Sequence, residues 1–249
     1  MVLHQVGARL RKDGLLYVYG HNDEGIKSAH KPAAEVFDAV SPVDARKHCR
    51  ILKCERPKKD LLATLDDWVQ TTEVPLPDGP LSFVSWPGLF AHGRLDRGTE
   101  LLLRALPAME PETRVLDWAC GAGVVGRVLS RRNPGIQLDA LDVDALAVHA
   151  ARLNLPEAGQ VYLSDAWSGV PKRRWDRIVS NPPLHTGVGT DHTALRALIA
   201  EAPRRMGRKG QLWLVAQRNV RLRPQLQDVF PSVRVAASTD GFKVWVAAN

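Results

Sequence analysis

A glycine-rich turn near the middle of the chain has the composition of a ligand-binding loop. The segment from Asp117 to Gly126 has the order Asp-Trp-Ala-Cys-Gly-Ala-Gly-Val-Val-Gly and lies between a short apolar run and an amphipathic run. Glycines at a turn from strand to helix let the backbone approach a ligand closely. Residues 121–126 also match the G-x-G-x-x-G pattern of dinucleotide-binding loops, which is weak as a lone match. Asp117 precedes the glycines, where its carboxylate repels a pyrophosphate and favours a cationic ligand.

Two further carboxylates follow the next two predicted strands. Asp142 comes directly after the second strand, and Asp165 follows the third. Each aspartate alone is also well placed to cap the N-terminus of a helix. Ligands of open α/β sheets bind at the carboxyl ends of the strands, so carboxylates at three consecutive strand ends favour one shared binding site. In such a site Asp142 is positioned to bind a ribose diol.

An Asn-Pro-Pro segment follows the fourth predicted strand and carries the most specific pattern in the chain. The side-chain oxygen of Asn181 and the carbonyl oxygen of Pro182 can accept hydrogen bonds from both N–H groups of an exocyclic amine, and Pro183 stiffens the loop. These bonds favour a pyramidal nitrogen whose lone pair can attack a methyl donor. Positioning and preorganised acceptors then supply most of the catalysis, without a strong general base. A structural Asn-Pro turn is the alternative explanation.

The elements that have to position these residues alternate between helix and strand from residue 98 onward. The hydrophobic pattern predicts helices at Gly98–Leu106, Gly123–Arg132, Asp144–Leu153, Thr193–Met206 and Arg223–Val229. It predicts strands at Arg114–Trp118, Ile136–Leu141, Gln160–Leu163, Trp175–Ser180, Gln211–Ala216, Ser232–Ala236 and Phe242–Val246. This alternation indicates an α/β fold with a doubly wound, mostly parallel sheet, in which the final hairpin has to place one antiparallel strand.

The first 75 residues have a less regular pattern. We expect strands at Leu15–Tyr19 and Cys49–Lys53, a helix at Ile26–Val40 that Pro32 interrupts early, and an amphipathic segment at Asp60–Gln70. The segment Val74–Pro80 is rich in proline and glycine, which predicts a loop or linker. So few elements make a poor independent core.

The formal net charge of +7 is confined to the C-terminal part of the chain. Residues 1–80 carry 12 basic and 12 acidic side chains, whereas residues 81–249 carry 22 basic and 15 acidic side chains. Such a surplus suits a polyanionic partner, although charge alone does not separate nucleic-acid binding from an ordinary basic protein. The 45% hydrophobic and 24% charged content excludes disordered and collagenous chains.

The cysteines and the N-terminus predict a cytoplasmic protein. The three cysteines include no C-x-x-C pair, which argues against a disulfide framework or a zinc site, so no metal is expected. No apolar leader is present, and no apolar run approaches the ~20 residues that span a bilayer.

Several motifs resemble those of the bacterial ribosomal RNA guanine-N2 methyltransferases, which comprise a 16S enzyme and its 23S relative. Residues 181–187 resemble the family's N-P-P-F-H-x-G, and residues 86–90 with 95–103 resemble P-G-V-F-S and L-D-x-G-S-x-L-L-L. Residues 241–245 resemble the terminal R-F-K-V-Y. Residues 25–29 and 44–47 resemble the end of the family's N-terminal domain, which is a degenerate copy of the methyltransferase fold.

The resemblance implies a class I S-adenosylmethionine-dependent methyltransferase fold that acts on a guanine flipped out of ribosomal RNA, most simply 16S rRNA. It implies a truncated N-terminal subdomain at 1–75 and a catalytic domain at 76–249. The residues that it assigns to S-adenosylmethionine are Asp117, Ala119, Cys120, Gly121 and Gly123 on the methionine and ribose side, Asp142 and Val143 at the ribose, Asp165 and Ala166 at the adenine, and Asn181. The residues that it assigns to catalysis and to the target base are Asn181, Pro182, Pro183, Leu184 and His185.

Leu184 departs from the family pattern, because the family has an aromatic side chain there that stacks on the target base. Trp167 or Phe90 could supply the ring instead, and His185 is as compatible with a structural role as with contact to the RNA. The basic residues 172–174 precede the fourth strand at its amino end, away from the pocket, so any contact with RNA there is a docking contact at a distance.

Three other functions stay open on the sequence alone. Protein glutamine methylation uses the same Asn-Pro-Pro chemistry, but that family lacks the His-x-Gly continuation found at residues 185–187. DNA adenine methylation is disfavoured because the chain has no separate target-recognition domain. A non-catalytic RNA-binding relative is compatible with Leu184 and with the short N-terminal part.

Overall fold

The computed structural model describes residues 1–156, 159–183 and 193–249. Contacts between residues divide the chain into two compact units, one from Met1 to Val69 and one that holds the described residues from Gln70 onward. The boundary predicted at residues 75 and 76 lies close to this division and stays a prediction. Within the described residues, no helix is both long and apolar enough to cross a membrane.

The first unit is a small antiparallel sheet with two helices. It contains α1 (Val2–Arg9), β1 (Leu15–His21), α2 (His30–Val36), β2 (Phe37–Arg46) and β3 (Cys49–Pro57), with short 3₁₀ turns at Asn22–Glu24, Ile26–Ser28 and Asp66–Trp68. The strand order is β1-β3-β2, and both pairings are antiparallel. Its core consists of Ala33, Val36, Phe37 and Cys54.

One prediction for the first unit was wrong. The helix expected at Ile26–Val40 ends at Val36, because Phe37 turns to extended backbone and begins a strand that pairs along β3. The amphipathic segment Asp60–Gln70 forms only a 3₁₀ turn. There Thr64 and Asp67 bond reciprocally to each other's backbone N–H, which starts a turn, but Val69 is already extended and the chain continues as a strand.

The second unit opens with a hairpin of β4 (Gln70–Val74) and β5 (Leu81–Ser85), which the sequence pattern did not predict. The proline-rich segment at 75–80 is the loop of this hairpin. Of the two alternatives predicted for it, a loop or a linker between domains, the structure shows the loop. The helices that follow are α3 (Arg97–Ala105), α4 (Val124–Arg132), α5 (Ala145–Asn154), α6 (Thr193–Arg205) and α7 (Leu222–Gln227).

Seven strands form the main sheet of the second unit. They are β6 (Arg114–Trp118), β7 (Gln137–Asp142), β8 (Gln160–Leu163), β9 (Trp175–Ser180), β10 (Met206–Gln217), β11 (Ser232–Ser238) and β12 (Phe242–Ala248). Their order is β11-β12-β10-β9-β6-β7-β8, and β12 runs antiparallel to both of its neighbours. The predicted doubly wound sheet with one antiparallel strand is confirmed.

Alternating side chains of the strands fill two hydrophobic cores, one on each face of this sheet. In β6, Val115 belongs to one core and Leu116 to the other, and in β9 Val179 and Ile178 divide in the same way. All four side chains are fully buried. The strands β6 to β9 are parallel, and β6, β7 and β9 are buried on both faces, so their carboxyl ends lie at one edge of the sheet. The residues with predicted chemistry follow these ends.

Candidate active site

A cavity of about 410 Å³ opens at the carboxyl edge of the main sheet. Its walls come from the segments that follow β6, β7, β8 and β9, from the segment before α3, and from β12. Among the predicted site residues, those that line the cavity are Asp117, Ala119, Cys120, Gly121, Asp142, Val143, Asp165, Ala166, Asn181, Pro182 and Pro183. The structure therefore brings the carboxylates, the glycine turn and the Asn-Pro-Pro segment around one volume.

The glycine turn after β6 leaves room for a ligand. Gly121 has a φ of +54°, and a Cβ atom placed there would meet no other atom within 4 Å. Gly123 has a φ of +82° for a different reason, since a Cβ there would lie 3.0 Å from the side chain of Leu155. Gly121 thus faces the open cavity, whereas Gly123 lets α4 pack closely against α5 and does not line the cavity.

Asn154, which the sequence reasoning missed, holds the glycine turn from the side. Its amide nitrogen donates to the carbonyl oxygens of Ala122 and Val84 at 2.8 Å each, and its amide oxygen accepts from the Val84 N–H at 2.8 Å. The residue is buried at the end of α5. Because a buried amide with all these partners has one preferred orientation, Asn154 fixes the turn to the β4-β5 hairpin.

Asp142 accepts hydrogen bonds on both carboxylate oxygens. The Gly121 N–H donates to one oxygen at 2.8 Å, and the Asp144 N–H donates to the other at 2.9 Å. Burial raises the pKa of Asp142 above its ordinary value, and these two backbone donors oppose that shift. Each oxygen keeps a further lone pair, so the carboxylate can accept from two vicinal hydroxyl groups while it stays bound to the turn.

Asp117 lies fully buried beneath the same turn. One of its oxygens accepts from the Gly126 N–H at 3.0 Å in the first turn of α4. Burial raises the pKa of Asp117 to about 7, the Gly126 bond opposes the shift, and the charge of Asp142 adds to it. A cation in the cavity would favour the ionised form of Asp117, so this carboxyl group is suited to a positively charged ligand.

The raised pKa of Asp117 predicts a pH dependence of stability. The pKa of Asp117 is about 7 in the folded protein, above the ordinary value of 3.8. The stabilising contribution of this group to the free energy of unfolding is therefore full below pH 3.8 and is lost as the pH rises through 7. We expect Asp117→Asn to leave the free energy of unfolding similar at pH 4 and to raise it at pH 8 by on the order of a few kcal/mol. Urea unfolding of both proteins across this range measures the difference. The exposed Asp240→Asn should show no such divergence, and a parallel pH dependence of Asp117→Asn and wild type would contradict the assignment.

Asn181 has its amide orientation fixed by two residues of the second unit. Its Nδ2 donates to Asp96 Oδ2 at 3.0 Å and to Thr99 Oγ1 at 2.9 Å. The Thr99 hydroxyl in turn donates to Asp96 Oδ2 at 3.4 Å, so its lone pairs are left to accept from Asn181. A carboxylate can only accept, and therefore the NH2 group of Asn181 has to point toward Asp96. The carbonyl oxygen of the Asn181 amide then points away from this pair.

Asp96 and Thr99 were not assigned a role from the sequence. Asp96 is the N-cap of α3 and accepts from the Thr99 N–H at 2.9 Å, which holds the carboxylate in place. Gly98 lies beside it, and a Cβ there would be 3.0 Å from Asp96 Oδ2 and 3.1 Å from the ring of Phe242. The Leu-Asp-Arg-Gly-Thr stretch of the resemblance contains both residues, so a signal was present, but it did not indicate their partner.

The aromatic residues Trp167 and Phe90 differ in their ability to stack on a nucleobase. Trp167 is buried, and its indole N–H donates to the Ala197 carbonyl oxygen at 3.0 Å, so its ring belongs to the core. Phe90 is 65% exposed and lines the cavity. Of the two rings that the sequence offered, Phe90 alone is placed to meet a ligand. Leu184 and His185 lie outside the described residues, so their predicted roles stay predictions.

The residues present fit S-adenosylmethionine. The open space above Gly121 leaves room for a close ligand, Asp142 has lone pairs that can accept from hydroxyl groups, and Asp165 is exposed just after β8, where its carboxylate can accept from an amino group. Among the residues that the structure describes, the cavity lining holds the four carboxylates Asp96, Asp117, Asp142 and Asp165 and one basic residue, Arg94. This balance suits a cationic ligand and is unsuitable for a pyrophosphate.

The chain is similar to known proteins over almost its whole length. A family model described as the methyltransferase small domain matches residues 80–246, and its N-terminal counterpart matches residues 1–72. The chain is 37% identical to the ribosomal RNA small subunit methyltransferase C of Pseudomonas entomophila strain L48 over 251 residues, which cover 100% of this chain and 74% of that protein. It is 39% identical to the protein of the same name from Pseudomonas aeruginosa strain UCBPP-PA14, over 99% of this chain and 74% of that protein.

A solved structure shares the fold over almost the whole chain. It is the T. thermophilus 16S rRNA N2 methyltransferase RsmC in complex with AdoMet and guanosine, with a TM-score of 0.87 and 23% sequence identity. The match covers 99% of this chain and 67% of that chain.

Proposed function

The chain belongs to the methyltransferase small domain family, and from this premise we propose that it transfers a methyl group from S-adenosylmethionine to N2 of a guanine in 16S rRNA. The observation that carries the proposal is the fixed amide of Asn181 at the rim of a cavity built for a cationic nucleoside. The names of the curated relatives specify small-subunit ribosomal RNA as the substrate, and the name of the T. thermophilus enzyme specifies the N2 position of a guanine.

We assign the cofactor to the turn and the strand ends. Asp142 would bind the ribose hydroxyls, Asp165 with Ala166 would meet the adenine, and the backbone from Ala119 to Gly121 would line the methionine side. Asp117 would act from beneath, as a buried carboxylate that offsets positive charge in the cavity. When bound, S-adenosylmethionine supplies an electrophilic methyl group on a sulfonium ion.

Asn181 and Pro182 would accept from the two N–H groups of the guanine amine. The amine lone pair is delocalised into the base, and two acceptors outside the base plane favour a pyramidal nitrogen with a localised lone pair. Asp96 and Thr99 act here as positioning residues, because they hold the Asn181 NH2 group and so turn its oxygen toward the substrate. The acceptors are in place before the reaction, and no reorganisation is needed as charge develops.

A strong general base is not required. The attacking nitrogen becomes acidic as the new N–C bond forms and the S–C bond of the donor breaks, so its proton can leave to water without a side chain that takes it up. Asn181 and the Pro182 carbonyl cannot hold that proton as a free base would, which agrees with a mechanism that depends on positioning.

Phe90 is the ring that we assign to stacking on the target base. Stacking is worth about 1–3 kcal/mol per base, so Phe90→Leu should raise the KM for RNA about 5- to 150-fold and leave affinity for S-adenosylmethionine unchanged. Steady-state methyl transfer to RNA measures the change. Leu163→Ala removes another exposed apolar side chain, one that does not line the cavity, and should leave KM as it is. An unchanged KM in Phe90→Leu would remove Phe90 from the substrate site.

The proposal includes the partner and the place of action. We propose that the partner is 16S rRNA, within a small subunit or during its assembly, and that the protein acts in the cytoplasm. We also propose that residues 1–75 form a methyltransferase-like N-terminal subdomain and residues 76–249 the catalytic domain. Protein glutamine methylation gains no support from the relatives, whose names specify ribosomal RNA.

Two measurements test the function. Calorimetry should detect S-adenosylmethionine binding, and radiolabelled methyl transfer should be seen with small subunits or 16S rRNA and not with large subunits. Failure to bind S-adenosylmethionine would contradict an enzymatic role. Labelling of large subunits alone would move the substrate to 23S rRNA.

A further inference from the structure

A second concave surface lies at the opposite edge of the main sheet. It has a volume of about 440 Å³ and is lined by Lys172, Arg173, Arg174, Glu201, Arg204 and Arg205. We call these residues the basic surface. The two sequence clusters that form it lie about thirty positions apart, and they meet because one precedes β9 and the other precedes β10, which runs parallel to β9. The surface therefore lies at the amino ends of the strands, whereas the active-site cavity lies at their carboxyl ends.

Two of the arginines are fixed parts of the wall. Arg173 pairs with the buried Asp139 at 3.0 Å, and its guanidinium lies 5.7 Å from the centre of the Trp175 ring. Arg205 donates to the Pro171 carbonyl oxygen at 2.9 Å and pairs with Glu201 at 3.2 Å. These contacts fix the concave shape of the basic surface. The other three cations, Lys172, Arg174 and Arg204, lie around it.

Those three cations are available to a partner. Lys172 and Arg174 are exposed, and within the described part of the chain neither has an ion pair or a hydrogen bond. Arg204 has an 82% exposed side chain and only a 3.5 Å contact with Glu201, which is already bound to Arg205. An exposed contact of this length contributes little energy, so the Arg204 charge is also free to act on a polyanion.

The described lining of the active-site cavity is poorly suited to the phosphate groups of an RNA substrate. Among the described residues this lining carries four carboxylates, which repel a phosphate backbone, and one arginine. Most affinity for a nucleic acid nevertheless comes from cations that neutralise phosphates. On the proposed function, the cations for the RNA have to lie outside the cavity.

We infer that the basic surface binds the phosphate backbone of the ribosomal RNA substrate, away from the guanine that is methylated. The six residues of β9 separate the two sites by about 20 Å, a distance that a folded polynucleotide can bridge and a single nucleoside cannot. The inference rests on the proposed function, since it takes RNA as the substrate. It predicts that the surface contributes to binding and salt dependence and not to the chemical step.

The test is a triple variant, Lys172→Gln with Arg174→Gln and Arg204→Gln, assayed on purified small subunits and on naked 16S rRNA at several salt concentrations. We expect the KM for both RNAs to rise about tenfold and the slope of log affinity against log salt to fall by about two to three. Turnover at saturating RNA and the affinity for S-adenosylmethionine should stay at wild-type values. All three side chains are exposed, so the fold should be retained, which a thermal melt checks.

A matched control separates local binding from net charge. Arg11→Gln with Lys12→Gln and Lys31→Gln removes the same charge from exposed positions of the first unit. An equal rise of KM in this control, or an unchanged KM in the basic-surface variant, would overturn the inference. A rise with subunits and not with naked RNA would also overturn it, because the partner would then be a ribosomal protein. Filter binding of RNA to the wild type and both variants needs no turnover, so it tests the surface even if no guanine is methylated.

Discussion

Replacing Asn181 with alanine is expected to lower turnover about 10²- to 10³-fold while S-adenosylmethionine still binds. The loss is large because the variant removes an acceptor that is already oriented toward the amine, and preorganised hydrogen-bonding groups of this kind are worth about that factor. Asp142 accepts from the Gly121 N–H and Asp117 accepts from the Gly126 N–H, and neither bond involves Asn181, so the cofactor site stays intact. Single-turnover methyl transfer and calorimetry on the same preparation measure the two effects.

The Asn181 result needs a control for the substitution itself. Asn22→Ala removes an asparagine side chain that accepts from Arg50 at 3.0 Å in the first unit, and it should leave turnover unchanged. Turnover of Asn181→Ala close to that of the wild type would refute the acceptor role. Loss of S-adenosylmethionine binding in the same variant would show instead that Asn181 holds the cofactor site together.

Replacing Asp96 with serine is expected to lower kcat about 10- to 100-fold with little change in KM. Serine caps a helix about as well as aspartate, so α3 should stay folded. Its shorter side chain does not reach the Asn181 amide, and the carbonyl oxygen of Asn181 then loses its fixed direction. A misplacement of about 1 Å in a reacting group can cost about 10²-fold in rate, which sets the scale of the effect.

Two variants separate positioning by Asp96 from a merely structural role. Asp96→Asn keeps an oxygen that can accept from both Asn181 and Thr99, so it should restore most of the turnover lost in Asp96→Ser. Glu100→Gln removes a carboxylate from the same first turn of α3, where it pairs with Arg104, and should leave turnover unchanged. Equal losses in Asp96→Ser and Asp96→Asn, or a large drop in thermal stability of Asp96→Ser, would contradict the positioning role.

The sequence predicted the second unit well because its signals are local. Each strand from β6 to β9 has three apolar residues within a run of four to six. The N-cap of α5 is Asp144 and not Asp142, which the sequence had offered as a cap. The carboxyl ends of parallel strands have to meet at one edge of the sheet. The convergence of Asp117, Asp142, Asp165 and Asn181 therefore followed from fold class alone.

The parts that were missed depend on partners distant in the chain. The hairpin of β4 and β5 has a polar first strand, Gln-Thr-Thr-Glu-Val, which lacks a clear alternation of its own. The strand β2 continues directly from a helix, and only its pairing with β3 ends that helix. Asp96 and Thr99 bond to Asn181 across 85 and 82 residues, so no local pattern could show that they orient its amide.

The most direct test of the account is the identity of the methylated nucleoside. Small subunits from cells that lack this protein would be incubated with the enzyme and labelled S-adenosylmethionine, and the RNA would then be digested and analysed by mass spectrometry. The account predicts N2-methylguanosine in 16S rRNA with the wild type, and none with Asn181→Ala. Label in N6-methyladenosine, or in ribosomal protein, would contradict it.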